Sequence, residues 1–240
     1  LPDKIEQNMI LPFSDEEEKI YVANLAKVNE ELQQLYDIEG SDKMQILKML
    51  TRLRQLCLEP RLVYDNIDQP SSKLKACMEL IKTMQENKQK VLLFSSFTSA
   101  LGLIAEECQK AGITYYMLTG STNKEERREL VSRFQKDDTT LFLISLKAGG
   151  TGLNLTSAEN VIHYDPWWNV SAQNQATDRA YRIGQKSNVQ VFNLVMKDSV
   201  EEKIIEMQKR KKELADMFVE NNSGGLSQMS KEDILSSFTM

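Results

Sequence analysis

Between residues 72 and 196, short apolar runs alternate one for one with helical stretches, and this alternation constrains the fold more than any other feature of the chain. A helix over 73–84 leads into a strand over 90–97, a helix over 99–111 into a strand over 114–118, and a helix over 124–134 into a strand over 141–144. Val161, Ile162 and Tyr164 make a further strand, and 189–196 another. Strands joined through single helices must run parallel, and a strand covered on both faces reads as a continuous apolar run, as Leu141-Phe142-Leu143-Ile144 does. The expected class is α/β, a parallel sheet with helices on both faces. Ligands of such sheets bind outside the carboxyl ends of the strands, so function is expected in the loops that follow them.

Those loops have suitable chemistry. In Ala148-Gly149-Gly150-Thr151-Gly152 the glycines allow positive φ and close backbone approach to a phosphate or sugar. Ser95-Ser96-Phe97-Thr98-Ser99 follows one strand, and Thr119-Gly120-Ser121-Thr122 follows another and leads into a helix carrying Lys124 and Arg127. Hydroxyls and free amides at a helix start bind phosphate, although each cluster alone also reads as an ordinary cap. Asp165-Pro166 stops the strand before it. A helix is expected over 170–181, ended by Gly184, with Gln175, Arg179 and Arg182 on one face at spacings of four and three. Two guanidiniums aimed at a glycine loop suit a charge-dispersed phosphoryl-transfer transition state. A solvated stripe paired to Asp178 explains the spacing equally well, and spacing alone leaves both readings open. Of the adjacent Trp167 and Trp168, one ring should face the core and one outward.

The literal strings go further. Gln175-Ala-Thr-Asp-Arg-Ala-Tyr-Arg-Ile-Gly-Gln185, preceded by Asp165-Pro-Trp-Trp-Asn169 and by Ser145-Leu-Lys-Ala-Gly-Gly-Thr-Gly-Leu-Asn-Leu155, closely resembles motifs VI and V of the SWI/SNF-related ATP-dependent DNA translocases of helicase superfamily two. The 95–99 stretch resembles motif IV. The resemblance extends over essentially the whole chain and implies the second, C-terminal, RecA-like lobe. It further implies a connector between lobes over 1–13, a helical protrusion over 14–70, the lobe itself over 71–197, and a brace helix with tail over 198–240.

The resemblance implies roles residue by residue. Arg179 and Arg182 would be arginine fingers assisted by Gln175, while Gly150, Gly152 and Asn154 would meet the nucleotide. Ser96, Thr119, Gly120, Arg127, Ser145 and Lys147 would track a DNA backbone, and Trp168 would couple the nucleotide site to that track. Tyr181 stands where the family usually has His, and Lys147 where Arg is frequent, so Tyr181 is given no chemical role. The implied cofactors are ATP and Mg2+, the metal being held mainly by the other lobe. Implied partners are double-stranded DNA, the N-terminal RecA-like lobe of the same protein, and DNA-bound proteins as a further allowance. The setting is the cytoplasm around the nucleoid in a bacterium, or the nucleus in a eukaryote.

Elsewhere the chain supports this organisation. Residues 1–13 read as an extended connector with two prolines. Ser14-Asp15-Glu16-Glu17 is a capping box, and Tyr21, Leu25, Val28, Leu32 and Leu35 form an amphipathic face. A second helix is expected over 42–58, with Lys48, Arg52 and Arg54 as a solvated face or, alternatively, a DNA contact. Asp198-Ser199-Val200-Glu201-Glu202 opens a helix whose apolar face is Val200, Ile204, Met207, Leu214 and Phe218. A linker over 221–228 and a short helix over 230–235 follow. Cys57, Cys77 and Cys108 lack metal-ligand spacing and His163 is the single histidine, so neither a zinc site nor a disulfide framework is expected and a reducing compartment is. No apolar run reaches the roughly twenty residues of a membrane span. A net charge of -5 runs against a dedicated nucleic-acid-binding domain, whose footprint is basic, while leaving room for a motor that grips phosphates locally.

No G-x-x-x-x-G-K-[ST] and no strand-borne D-E-x-H occurs, so these 240 residues alone should not hydrolyse ATP. The start at Leu1 rather than Met suggests a piece of a longer protein. Two rival readings are an RNA helicase lobe, opposed by the D-P-W-W-N and I-G-Q strings, and a non-catalytic nucleotide-binding module, for which a lone glycine loop is weak support.

Overall fold

A computed structural model describes residues 1–36, 43–149 and 152–217. Among them six strands form one sheet in the order β1-β6-β5-β2-β4-β3. The strands are β1 (Lys4–Leu11), β2 (Val91–Ser95), β3 (Tyr115–Leu118), β4 (Leu141–Ser145), β5 (Asn160–His163) and β6 (Val189–Met196). The helices are α1 (Asp15–Tyr36), α2 (Lys43–Leu58), α3 (Ser72–Glu86), α4 (Thr98–Ala111), α5 (Lys124–Lys136), the single turn α6 (Leu146–Gly149), α7 (Val170–Thr177) and α8 (Val200–Met217). The pairings β2–β4, β2–β5, β3–β4 and β5–β6 are parallel. β1 joins β6 with the same sense, since Val189 N donates to Asp3 O while Lys197 N donates to Leu11 O. The expected α/β class, a RecA-like parallel sheet, is therefore the one observed.

The chain divides into two compact units, one of Leu1–Ile10 with Leu74–Val195 and one of Leu11–Lys73 with Met196–Met240. In the first, Leu92, Phe94, Phe142, Ile144, Val161 and Val191 are fully buried, and Phe134 meets Phe142 edge-on with ring centroids 5.2 Å apart. The connector expected over 1–13 is extended, but most of it is paired into the sheet. Its burial is low, with Met9 and Leu11 half-buried and the rest exposed, so the apolar-polar alternation through Ile5, Met9 and Leu11 marks the segment as extended without showing that it pairs.

In the second unit α1 buries Tyr21, Leu25, Val28 and Leu32 as the spacing requires, and α2 buries Ile46, Leu50, Leu53 and Cys57. Arg54, expected in a solvated face, is buried at 8% exposure, and the exposed Arg52 donates to Asn24 Oδ1 at 2.9 Å and lies over the Tyr64 ring. Three acids converge on residues 71–73 at the start of α3. Glu17 Oε1 accepts from Ser72 N and Oγ, both at 2.8 Å; Glu59 Oε2 accepts from Ser71 N at 2.9 Å; and Lys73 Nζ lies 2.7 Å from both oxygens of Glu201 in α8. Glu201 also accepts from Met196 N at 2.8 Å, which satisfies the carboxylate further. Lys73 and Glu201 are fully buried, and Cys57 beside them has its thiol pushed up by burial and by the Glu201 charge. Of the apolar face expected on α8, Val200 and Ile204 are buried and Met207 half-buried; the side chains of Leu214 and Phe218, the 221–228 linker and the 230–235 helix lie outside what is described.

A buried ion pair is costly to break from one side, because the survivor keeps its desolvation penalty without its partner. Glu201→Ala or Lys73→Met should each lower unfolding stability by about 3–5 kcal/mol, while the double change to Met and Leu recovers most of it. Urea titrations of the single and double variants check this; single variants within about 1 kcal/mol of the parent would show that the pair is not closed in solution.

Candidate functional site

Parallel register brings the carboxyl ends of the strands level. Ser95 of β2 is paired with Ser145 of β4, Phe94 with His163 of β5, and Leu118 of β3 with Ile144. The loops expected to carry function leave the sheet from these ends.

Asp165, read from sequence only as a strand terminator, holds two of the loops together. It is 1% exposed and accepts from Ser95 Oγ at 2.6 Å, from Ser96 N at 3.1 Å and from Ser96 Oγ. The Ser96 hydroxyl is thus engaged within the protein. Ser145 is buried, and its Oγ accepts from Ala148 N at 3.3 Å, capping α6. Lys147 on α6 is exposed, and Arg127, half-buried on α5, donates to Ala148 O at 3.3 Å. After β3, Thr119 Oγ1 lies 2.8 Å from Ser121 Oγ and Thr119 N donates to Thr122 Oγ1, so these hydroxyls close a turn among themselves while Asn123 caps α5. Gly120 is exposed at the tip of that turn.

The helix expected over 170–181 ends at Thr177. Beyond it Asp178 N and Tyr181 N keep four-residue bonds, to Asn174 O and Thr177 O, while Arg179 N and Ala180 N bond only three residues back; Arg179 O accepts from Leu155 N at 3.0 Å and Ala180 O from Gln185 Nε2 at 3.0 Å. Residues 178–182 instead form tight turns, with Arg179 N donating to Ala176 O and Arg182 N to Ala180 O. Gln175, Arg179 and Arg182 therefore do not share one helical face. Gln175 is exposed on α7, and both arginines come from the turns and reach the loop after β4, Arg179 Nε to Gly149 O at 3.0 Å and Arg182 Nη1 to Leu153 O at 3.5 Å. Burial, and then repulsion from Arg182, hold the Arg179 guanidinium below its ordinary pKa, with Asp178 opposing. Of the expected nucleotide-loop residues, Gly150 lies outside the described residues. Gly152 has φ +48° with open space where a Cβ would sit, and Asn154 is exposed. Gly184, at φ +107°, turns the chain after the arginines.

Trp167 packs against the sheet core and Trp168 is half-buried beside it, so neither ring is fully outward. Trp167 N donates to Gln173 Oε1 at 3.1 Å. Gln185, which sequence reading treated only as part of a string, is a buried clamp whose Nε2 donates to Ala158 O and Ala180 O and whose Oε1 accepts from Lys186 N and Ser187 N. His163 was also passed over. Its Nε2 lies 2.9 Å from Thr177 Oγ1 and its ring stacks on Phe94, while Nδ1 meets no hydrogen-bond partner among the described residues. Full burial pulls its pKa down to about 4, against an opposing pull from Asp165. A lone polar residue at the end of an apolar strand was the available signal for both His163 and Asp165.

A parallel sheet with two arginines turned onto a glycine loop at its carboxyl edge defines a RecA-like lobe of the helicase C-terminal kind, and residues 72–184 match the helicase conserved C-terminal domain family. Across its whole length the chain is 35% identical to the putative ATP-dependent helicase/translocase YwqA of Bacillus subtilis, covering 26% of that protein. It is 36% identical, over 86% of its length, to the SWI/SNF-related matrix-associated actin-dependent regulator of chromatin subfamily A member 1 of Mus musculus, covering 21% of that protein. The Sulfolobus solfataricus SWI2/SNF2 ATPase C-terminal domain superposes with TM-score 0.76 at 28% identity, over 97% of this chain and 96% of that one. The core of that ATPase in complex with double-stranded DNA gives TM-score 0.77 at 31% identity, over 98% and 50%. The chain belongs with the SWI/SNF-related helicases of superfamily two, as their C-terminal lobe. It spans about a quarter of the length of the curated relatives it matches.

Because His163 is neutral when folded and takes a proton near pH 6.5 when unfolded, the unfolded state binds more protons between about pH 6.5 and 4, and stability falls as pH drops through that window. Between pH 7 and 5 the loss should be about 2 kcal/mol, and His163→Gln should abolish it. Denaturant unfolding at the two pH values checks this; an unchanged slope in the variant would show that His163 is not held neutral.

Proposed function

We propose that this chain is the C-terminal motor lobe of an ATP-dependent double-stranded DNA translocase of the chromatin-remodeller kind, and that Arg179 and Arg182 act as its arginine fingers. The observation that carries this reading is their placement: both side chains are anchored on carbonyls of the 149–153 loop. A charge-dispersed phosphoryl group placed against that loop would meet two guanidiniums, which is where cationic stabilisation has most effect on transfer. Gly150, Gly152 and Asn154 would contact the nucleotide, and the open space where a Cβ would sit at Gly152 allows close approach there. ATP supplies the phosphoryl group when bound; these residues orient it and stabilise charge as it moves. With neither a G-x-x-x-x-G-K-[ST] nor a D-E-x-H string in these 240 residues, Mg2+ would be held mainly by the partner lobe. Alone, the 240 residues would then not turn ATP over.

DNA would lie along the same edge of the sheet; that a structural relative, the Sulfolobus solfataricus SWI2/SNF2 ATPase core, is found in complex with double-stranded DNA supports DNA as the partner. Exposed Lys147, with Thr119 and Gly120, would meet phosphates directly. Ser96, Ser145 and Arg127, whose side chains are engaged inside the protein, would contribute by holding the loops of that track in place. Trp168 would connect this track to the nucleotide loop. Such contacts position a protein on DNA without reading sequence, which suits a translocase.

In the protein that pairs this lobe with a P-loop lobe, Arg179→Ala or Arg182→Ala should lower turnover by roughly a thousandfold while changing nucleotide and DNA affinity far less, since fingers act in the transition state. Steady-state turnover beside equilibrium binding checks this. A variant that kept near-parental turnover would remove that arginine from the mechanism.

A further inference from the structure

The loop from Asp165 to Asn169, which carries both tryptophans, is pinned at three points. Asp165 is held by Ser95 and Ser96, Asn169 Oδ1 caps α7 by accepting from Ala172 N at 3.3 Å, and Trp167 N is held by Gln173. The first two ties are local. The third leads away from the site. Gln173 Nε2 donates to Asn193 Oδ1 at 3.2 Å, and Asn193 Nδ2 donates to Glu6 Oε1 and Asn8 Oδ1, each at 3.0 Å. Gln173 and Asn193 are buried at 6% and 4% exposure, whereas Glu6 and Asn8 lie on the exposed edge strand β1. A carboxamide is a rigid plane with a donor end and an acceptor end, and in each of these two residues both ends are used. Neither amide can follow one neighbour without giving up the other, and a buried amide end left unmet is costly.

We propose that Asn193 and Gln173 are positioning residues that relay the seating of β1 to the tryptophan loop. When β1 lies in register on β6, Asn193 is held outward by Glu6 and Asn8, Gln173 is oriented by Asn193, and Trp167 N is fixed with Trp168 beside it. When β1 shifts, Gln173 loses the Asn193 bond that helps to orient it and its hold on Trp167 N loosens, while the ends of the loop stay pinned. The functional meaning rests on the proposed function above, in which Trp168 connects the DNA track to the nucleotide loop, and on the inter-lobe connector that the family resemblance implies for residues 1–13; movement between lobes would then reach the tryptophan loop through side chains inside this unit.

The test does not depend on ATP or DNA. Trp167 and Trp168 are the two tryptophans of the 240-residue chain, so its intrinsic emission reports on this loop alone. The paired surface change Glu6→Ala with Asn8→Ala touches no core residue. It should shift the emission maximum to the red by several nanometres with an unchanged melting temperature. Asn193→Asp keeps an oxygen for Gln173 and removes the donor toward β1, so it should give the same shift, and Gln173→Ala a shift at least as large. Added to Asn193→Ala, the surface pair should produce no further change. The proposal is overturned if the surface pair leaves the emission as in the parent, if its full shift persists on the Asn193→Ala background, or if Asn193→Ala shifts the emission and Asn193→Asp does not, which would mark lost packing rather than a lost relay. Because no motor activity is read, these outcomes stand apart from whether the chain proves to be a translocase lobe.

Discussion

Hydrogen bonding between parallel strands decides where each loop of this protein leaves the sheet. Ser95 opposite Ser145 and Phe94 opposite His163 are consequences of one register, and a slip of one residue in any of these strands would turn its side chains to the other face and separate the loops that follow. The interior that enforces this register is fully apolar: four consecutive residues of β2 and four of β4 have no accessible surface. Polar chemistry begins at the strand ends, at Ser95, Ser145 and His163, and Asp165 then gathers the Ser95–Ser96 backbone and hydroxyls onto one carboxylate. Local order at the site therefore comes from one buried acid on a level sheet edge.

The arginines stand where α7 gives way to turns. Arg179 N and Ala180 N bond three residues back, to Ala176 O and Thr177 O, in place of the four-residue bonds of an α-helix, and both guanidiniums reach the loop after β4 at Gly149 O and Leu153 O. Leu155 N and Gln185 Nε2 donate to the Arg179 and Ala180 carbonyls and tie these turns to the rest of the unit. The arrangement also brings Arg182 close enough to disfavour the charge on Arg179, an interaction that an anionic ligand between them would relieve.

Much of the frame was legible in the sequence. The strands expected over 90–97 and 141–144 were legible because burial on both faces leaves a continuous apolar record, the one expected over 189–196 was found as well, and the capping residues of α1 and the apolar spacing of α1 and α2 locate their helices. The loop strings located the candidate site and the family. What the sequence did not reveal depends on partners distant along the chain. β1 pairs with a strand more than 180 residues away and buries too little to show that it pairs. The turns that follow α7 are tied by Leu155, upstream of it, where a local reading of the chain carries the helix on. Gln173 and Asn193 look like ordinary polar residues until the fold sets one beside the other. Arg54 shows the same limit from another side: helical spacing placed it on the surface, and packing among the helices of its unit buried it.

The central claim is that this lobe serves a motor driven along duplex DNA, and it is tested most directly by ATP turnover of the protein that carries it together with its P-loop lobe, measured without nucleic acid, with double-stranded DNA and with RNA. The account requires turnover to rise strongly with duplex DNA of any sequence and to respond little to RNA. Turnover indifferent to duplex DNA, or raised by RNA alone, would contradict it.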